Sequence, residues 1–470
     1  MIIELQNFGP IKSFKFDTSK DMHAIFGKNN IGKSYAISAV YLILKNILIY
    51  GATPKILSED KNEIVGSSRF GDDINEKLKL YNINELDITE QLELKITDRI
   101  NTSLLLSINK SFENTYVLKY LQNQSNTNDF KISIIDKFAS LIIKLDNSKE
   151  KLMASKFELI TKVIVIQRDF YSNFLEEHLK DKLEISETQI RFMNSFSNKL
   201  FINSSYSFTI IPDCIDYFLR DFLVGHSKIY FLPASRSGLY NSLNSFGAIF
   251  AEISRNRHSL TSKFEIPNLS EPISDYFLNL NTIDNAIVSE TYIKDFEQIE
   301  KGILKGKVVF DNLTKKYFYT PTNTNMRLEL SSTSSMISEI APIIAHLKYI
   351  IPLHYKTPSI LFIEEPEAHL HPEVQILLLE YFVKLSKGNL KIVMTSHSNY
   401  IFNKLSNLLI ANKIDKDKLS VSLMKMTPEG SVIEEGAMQM DEYGIEDNNF
   451  VDVAEQLYEE RMQLLENINS

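Results

Sequence analysis

A glycine-bounded loop at residues 27–34 carries the clearest chemical pattern in the chain. Its glycines allow the backbone to approach an anion closely, and Lys33 supplies a mobile positive charge for the β- and γ-phosphates of a nucleotide. The Ser34 hydroxyl is a hard oxygen ligand of the kind that Mg²⁺ prefers. The pattern is G-x-x-x-x-G-K-[ST], which predicts a site for a nucleoside triphosphate, ATP or GTP, with a magnesium ion.

The runs on either side of this loop suit the elements that it needs. Met22–Phe26 is short and apolar, as in a buried strand, and Ser34–Leu44 suits a buried helix. An ordinary glycine turn before a helix is the alternative, but the order strand, loop, helix favours phosphate binding. We expect nucleotide contacts from Gly27, Lys28, Asn29, Asn30, Ile31, Gly32, Lys33, Ser34 and Tyr35.

Two adjacent carboxylates follow a second apolar run, more than 300 residues later. Ser359–Ile363 has the composition of a buried parallel strand, and Glu364 and Glu365 come directly after it. Parallel sheets build ligand sites at the carboxyl ends of their strands. We therefore expect Glu364 to hold Mg²⁺ and Glu365 to orient or deprotonate the attacking water. A pair of surface acids at a strand end is the alternative.

A polar cluster ends a third apolar run. Leu390–Thr395 reads as a strand and is followed by Ser396, His397 and Ser398. In an ATPase of this arrangement, His397 approaches the γ-phosphate and is a third catalytic candidate beside Glu365 and Lys33. The alternative is a histidine that only makes hydrogen bonds at the strand end.

Acidic and imidazole side chains alternate directly after the paired carboxylates. Glu365, Glu367, His369 and His371 have the donor types of a zinc site. A polar loop that faces an opposing subunit has the same spacing, and we prefer that structural or interfacial interpretation.

The bulk composition is that of a globular protein. The chain has 470 residues, of which 44% are hydrophobic and 24% charged, and this length predicts two or three domains or one head with a large insertion. No run approaches 18 apolar residues and the start lacks a basic signal segment, so we expect a cytoplasmic protein without a membrane. A single cysteine, Cys214, excludes an internal disulfide. The net charge of −9 gives DNA binding no support, although a local basic patch is compatible with it.

The pattern along the chain predicts three segments. Residues 1–50 and 226–415 form the nucleotide-binding head, 51–225 form an inserted helical and β arm or lid, and 416–470 supply a C-terminal strand and a docking helix. The head should be α/β, with a mixed, largely parallel sheet at its core.

Periodicity within these segments predicts individual elements. Apolar residues spaced by four favour helix within 73–122, although Leu92–Ile96 also alternates as a strand. We expect strands within 128–170, a charged helix over 170–200, a hairpin within 306–330 and a helix from Ser334 to Ile351 that bends near Pro342.

Together these motifs resemble ATP-binding-cassette (ABC) ATPases of the branch that contains the SMC, RecF and OLD heads. The resemblance covers roughly residues 1–50 and 228–410 and implies a P-loop NTPase fold that binds ATP and Mg²⁺. The start, Leu5–Phe14, resembles the branch's opening strand, and this implies that Lys12 and Ser13 lie near the nucleotide. Glu364–Pro372 resembles the Walker B and D-loop sequence of this branch, and Thr395–Ser398 resembles the segment that carries its switch histidine.

The family's signature segment, usually Ser-Ser-Gly before a helix, reaches the γ-phosphate of the other subunit. Ser334 and Ser335 are the candidates here, with Met336 where glycine is common; Ser331–Thr333 is a second possible register. The resemblance thus implies a dimer or higher homo-oligomer formed through the ATP sites. A serine-rich helix cap is the alternative.

Pro233–Gly238 resembles a segment of stand-alone prokaryotic AAA-family proteins, many of them ATPases of phage-defence systems of the PARIS, Septu and Gabija type. Within it, Arg236 is a candidate for phosphate contact, for the inter-subunit surface or for a structural ion pair. The resemblance implies a nucleotide-driven assembly switch that controls a separate effector protein. A DNA-repair ATPase is an alternative, and an OLD-type nuclease is disfavoured because no Toprim domain is evident.

Overall fold

The computed structural model of the chain describes most of its residues. These are 1–52, 73–121 without 75 and 82–84, 130–166 without 147–149 and 161, 195–203 without 197–198, 215, 218–219, 222–223, 225–242, 269–281, 297, 300–351 without 312–313 and 315, 357–445 without 435–437, and 458–465. Cys214 and most of the predicted helix at 170–200 lie outside the described residues.

Twenty strands occur in the described residues. They are β1 (Ile2–Phe8), β2 (Ile11–Asp17), β3 (Met22–Phe26), β4 (Glu85–Asp87), β5 (Lys131–Ile135), β6 (Ala139–Asp146), β7 (Lys151–Leu159), β8 (Lys162–Ile166), β9 (Ser195–Phe196), β10 (Lys199–Asn203), β11 (Ile229–Leu232), β12 (Gly306–Asp311), β13 (Lys316–Pro321), β14 (Leu328–Glu329), β15 (Ser359–Glu364), β16 (Leu390–Ser396), β17 (Leu419–Thr427), β18 (Gly430–Ile433), β19 (Met440–Asp441) and β20 (Gly444–Ile445).

The principal helices accompany them. They are α1 (Lys33–Ala52), α2 (Thr89–Thr102), α3 (Leu104–Thr115), α4 (Glu271–Asn281), α5 (Ser335–Ala345), α6 (Pro372–Ser386) and α7 (Asn399–Ile410). Residues 236–242 and 458–465 are also helical. A wide π-helical turn, His346–Ile350, continues α5 past Pro342, which cannot donate a backbone hydrogen bond.

The chain divides into two compact units. The first contains residues 1–9, 15–18 and 42–225, and the second contains 10–14, 19–41 and 226–470. Residue 226 starts the longest segment of the second unit, and β1 and the later part of α1 belong to the first unit. The functional motifs all lie in the second unit.

A sheet in the order β11-β15-β16-β3-β17-β18-β2 forms the core of the second unit. The first five of these strands are parallel, and every residue of β3 and β15 is buried. Continuous apolar runs such as Ile360–Ile363 are the sequence expression of strands covered on both faces. Helices α5, α6 and α7 add buried apolar side chains to the same core. The predicted α/β fold with a mixed sheet is confirmed.

The C-terminal strand belongs to this sheet. Strand β17 pairs in parallel with β3, Leu419 beside Met22 and Leu423 beside Phe26, and then turns antiparallel into β18. Strand β17 thus supports the strand that leads into the phosphate loop.

The first unit contains both helices and strands. Its β1, β5, β6 and β7 are antiparallel neighbours, and β4, β8, β10 and β9 form a second sheet. Helix α2 buries Leu92, Ile96 and Ile100, so the helical interpretation is confirmed over the strand alternative. A charged helix was predicted over 170–200. At the end of that range the structure has two strands, β9 and β10, which pair with each other antiparallel.

Helix α1 is long and apolar enough, by length and composition, to cross a membrane. It begins at the phosphate-loop lysine, Lys33, and more than half of it is buried inside the protein. We interpret it as a core helix because it follows the phosphate loop directly and most of its residues are buried.

Candidate functional site

The phosphate loop connects β3 to α1 in the order predicted. Gly27 has φ of +143° and Gly32 of +86°, conformations that glycine adopts without strain. The Nζ of Lys33 donates hydrogen bonds of 2.7 Å to the carbonyl oxygens of Gly27 and of Lys28. The lysine therefore closes the loop on itself and lies where an incoming phosphate would compete for its ammonium.

We expect Gly27→Ala to lower nucleotide affinity by at least about tenfold. An added Cβ would lie 2.6 Å from the carbonyl oxygen of Met424, and the positive φ is strained for any other residue. Gly302→Ala is the matched control, because its Cβ would meet nothing closer than the Tyr381 hydroxyl at 3.9 Å. Titration with a fluorescent ATP analogue measures the effect; equal affinities for the two variants would contradict it.

Lys33 is almost completely enclosed. It is 5% exposed, and burial lowers the pKa of its ammonium, although the carboxylates of Glu365 and Glu367 act in the opposite direction. The attraction places Lys33 within the electrostatic reach of both acids. The structure thus brings together the loop and the segment after β15, as the sequence predicted.

Glu364, the last residue of β15, faces the start of α1. Its carboxylate accepts hydrogen bonds from the backbone N–H of Ala234, at 3.0 Å, and from the Ser34 hydroxyl. Burial raises the pKa of Glu364, and these hydrogen bonds and Arg236 oppose that change. Ser34 and Glu364, the two predicted magnesium ligands, are therefore neighbours.

The donor types at this point fit magnesium. A hydroxyl and a carboxylate are hard oxygen donors, and Mg²⁺ is usually held by one or two protein oxygens together with waters and phosphate oxygens. In the described part of the chain, no group of three or more His, Cys, Asp or Glu side chains has a metal-binding arrangement. The alternation of Glu and His after β15 therefore has no zinc-like geometry there.

Glu365 begins the loop after β15 in a strained conformation. Its φ is +40°, and its N–H donates to the carbonyl oxygen of Thr395 at 3.1 Å. Its carboxylate lies 3.8 Å from Nδ1 of His397, and both side chains are partly exposed. Residues held in sparsely populated backbone regions cluster at functional sites, so this strain agrees with a catalytic role.

Glu367 positions the histidine segment, a role that sequence reasoning missed. Its buried carboxylate accepts from the Ser396 hydroxyl at 2.7 Å and from the His397 N–H at 2.8 Å, and it lies 3.5 Å from Nδ1 of His397. The other oxygen, Oε2, has no hydrogen-bond partner among the described residues. The only sequence signal was an acidic residue two positions after Glu365.

The start of β2 lies against the loop. Pro10 and Ile11 contact the site where a Cβ on Gly32 would lie, at 3.2 and 3.5 Å. Lys12 follows them and pairs with Glu429 in the turn between β17 and β18, and Ser13 is exposed. The predicted nucleotide-side location of Lys12 and Ser13 is thus compatible with the backbone, while Lys12 already has an acidic partner.

The remaining loop residues differ in exposure. Lys28, Asn29 and Asn30 are exposed, whereas Ile31 is buried. Tyr35 is half-buried, and burial raises the pKa of its hydroxyl to about 12, so it stays protonated at neutral pH.

Ser334 and Ser335 lie at the exposed start of α5. The Ser334 side chain accepts a hydrogen bond from the N–H of Ile337 and so caps the helix. Met336 is half-buried and packs against the core of the second unit. The methionine that replaces glycine therefore points to the core, and the two serines remain accessible.

Comparison with known proteins gives a consistent assignment. The profile of the AAA ATPase domain matches residues 1–402. The chain is 24% identical over 404 residues to the Endonuclease GajA of Bacillus cereus (strain HuB5-5), covering 73% of this chain and 58% of that protein. The chain thus spans little more than half the length of this curated relative, and the endonuclease name belongs to that protein.

Solved structures of SMC heads also align. The SMC head domain from Thermotoga maritima has a TM-score of 0.35 at 8% identity, covering 92% of this chain and 97% of that one. The Smc head domain with an extended coiled coil, bound to the C-terminal domain of ScpA and derived from Pyrococcus furiosus, has a TM-score of 0.34 at 10% identity over 100% and 99% of the chains. These TM-scores are too low to support a fold assignment. The assignment depends instead on the sheet and the phosphate loop of this chain. Since the family profile matches most of the chain, the protein belongs to the AAA ATPase domain family and is an ATPase.

Proposed function

We propose that this ATPase is a nucleotide-driven assembly switch that controls a separate effector protein in anti-phage defence. The observation that carries the proposal is the convergence of Lys33, Glu364, Glu365 and His397 at one edge of the sheet, with the serines of α5 exposed. The similarity to GajA supports the defence context, and we place the protein in the cytoplasm, where ATP is supplied.

Each side chain has a proposed part in hydrolysis. Lys33 exchanges its contacts with the loop carbonyls for the β- and γ-phosphates, and Glu365 accepts a proton from the attacking water. The water oxygen then bonds to the γ-phosphorus as the bond to the β-γ bridging oxygen breaks, which yields ADP and phosphate. Ser34 and Glu364 would hold Mg²⁺, which when bound neutralises charge on the phosphates. His397, held by Glu367, hydrogen-bonds the γ-phosphate and senses its presence.

The exposed serines suggest how nucleotide controls assembly. Ser334 and Ser335 place hydroxyl groups at a helix start, where the positive end of the helix dipole favours anions. They lie on the surface, so a γ-phosphate held by one chain is available to the serines of another. Phosphate would therefore hold two heads together, and hydrolysis would release them.

A mixing experiment tests whether each ATP site contains parts of two chains. Lys33→Ala keeps the serines but loses the loop lysine, whereas Ser335→Arg keeps the loop but blocks the serine segment. We expect each variant alone to have little turnover and an equimolar mixture to recover about a quarter of wild-type turnover, because about half of randomly formed dimers are mixed and each contains one complete site. Phosphate release measures the recovery.

A negative-control mixture and a measurement of molar mass accompany the mixing experiment. A mixture of Lys33→Ala with Glu365→Gln serves as the negative control. Both residues belong to the same chain's half of a site, so each site of a mixed dimer carries one of the two defects and stays inactive. The molar mass of wild-type protein in light scattering should rise with ATP and fall after hydrolysis. Mixtures no more active than the single variants, with a mass independent of ATP, would overturn the proposed switch.

A further inference from the structure

Arg236, the first residue of the helix at 236–242 that follows β11, has no solvent exposure, and backbone oxygens surround its guanidinium. One terminal nitrogen, NH1, donates to the carbonyl oxygens of Pro233, at 3.1 Å, and of Glu364, at 2.8 Å. The other, NH2, donates to the carbonyl oxygen of Glu365 at 3.1 Å. The guanidinium therefore contacts the backbone of both paired glutamates from a position without solvent exposure.

The same guanidinium is tied to α5. Its NH2 lies 3.5 Å from the carboxylate of Glu339, and its Nε donates to the Glu339 carbonyl oxygen at 3.3 Å. Glu339 is 2% exposed and also accepts from the Ser237 hydroxyl at 2.5 Å. Glu339 stands about one helical turn after Ser335, so the start of α5 and Arg236 are joined by one buried ion pair.

Arg236 completes the restraint on the Glu365 backbone. Thr395 accepts the hydrogen bond of the Glu365 N–H, and Arg236 donates to the Glu365 carbonyl. Both ends of a residue with φ of +40° are thus fixed. The Glu365 carbonyl oxygen also accepts from the Ala368 N–H at 3.1 Å, so Arg236 is one of the partners that hold this peptide, and it is the one that is paired with α5.

We infer that Arg236 is a positioning residue that couples the start of α5 to the catalytic orientation of Glu365. When α5 moves on contact with a second chain, the Glu339 carboxylate moves the guanidinium, and the guanidinium moves the Glu365 peptide. Hydrolysis would then be fastest in the assembled state. This inference rests on the proposed function, because it assumes that Glu365 activates water.

A purely structural ion pair predicts a different response to substitution. Lysine retains the positive charge that Glu339 needs, but its single ammonium cannot reproduce the planar fork that reaches several carbonyl oxygens at fixed angles. Arg236→Lys therefore keeps the positive charge beside Glu339 but removes the hydrogen bonds that the planar guanidinium makes to the carbonyl oxygens. Burial already lowers the pKa of Arg236, with Glu339 as the largest opposing influence, so the charge compensation is local.

The test compares turnover with nucleotide affinity. We expect Arg236→Lys to lower kcat by about tenfold or more, the scale of a mispositioned catalytic group, while the affinity for a fluorescent ATP analogue stays within about twofold. Ser237→Ala, which removes one hydrogen bond from Glu339, should lower kcat by about two- to fivefold. Arg327→Lys is the matched control, since Arg327 is half-exposed and paired with Asp311 at the surface, and it should leave both quantities unchanged.

A double-mutant cycle identifies the residue through which Arg236 acts. If it acts through Glu365, then Arg236→Lys should change single-turnover hydrolysis by less than about twofold in the Glu365→Gln background. Independent, multiplying effects would overturn the inference, and so would an Arg236→Lys protein with wild-type kcat. If Arg236→Lys does not fold, an unchanged kcat in Ser237→Ala overturns it. Failure of the mixing experiment with a selective loss of kcat here would reject the switch and retain the positioning role.

Discussion

Lys33→Ala should abolish detectable ATP turnover and weaken ATP binding by about 100-fold or more, which is the scale for losing charge-assisted hydrogen bonds to a triphosphate. The ammonium is enclosed and lies within the influence of the Glu365 and Glu367 carboxylates. Its removal leaves the carbonyl oxygens of Gly27 and Lys28 without this donor and leaves the negative charges opposite the phosphates uncompensated. Both consequences oppose the binding of an anion.

Thermal unfolding with and without ATP measures the loss. Wild-type protein should gain stability with ATP because ligand binds only the folded state, whereas Lys33→Ala should show no shift. Lys387→Ala, at the exposed lysine that caps the C-terminal end of α6, is the matched control and should behave as wild type. An ATP-dependent shift of equal size in Lys33→Ala would show that the nucleotide binds elsewhere.

The motifs that sequence reasoning found are those whose spacing is local. The phosphate loop needs eight consecutive residues, and the paired carboxylates need one apolar strand before them, so both are visible in short windows. The α/β fold followed because continuous apolar runs such as Met22–Phe26 and Ser359–Ile363 indicate buried parallel strands. The proposed roles of Lys33, Glu364, Glu365 and His397 remain predictions that the described geometry makes chemically reasonable.

The contacts that sequence reasoning missed connect segments far apart in the chain. Arg236 reaches Glu339 and the carbonyls after β15 across more than 100 residues, and Glu367 holds a segment 30 residues later. A spacing rule cannot reveal such pairs, because their distance depends on the order of strands in the sheet. The oxygen-lined position of Arg236 also differs from the phosphate contact that its motif suggested as one option.

Glu365→Gln should slow hydrolysis by about 10²- to 10⁴-fold, the range for losing a general base, while ATP affinity is retained or rises slightly. Glutamine has the same shape and can keep the φ of +40° and the N–H bond to Thr395. It cannot accept a proton from water at neutral pH. It also removes a negative charge near the triphosphate, which is why affinity should not fall. Single-turnover hydrolysis of labelled ATP measures the rate.

The same variant should accumulate the assembled state, because hydrolysis is the step that the switch uses to release two heads. We expect Glu365→Gln with ATP to keep a larger molar mass in light scattering for as long as ATP is present, and to lose it when ATP is removed. Glu373→Gln, at an exposed acid in the first turn of α6, is the matched control and should hydrolyse ATP and disassemble as wild type does. A monomeric Glu365→Gln protein with wild-type turnover would remove Glu365 from catalysis. Slow turnover without a change in mass would instead retain Glu365 as the base and reject the assembly switch, because the chemical step and the association would then be uncoupled.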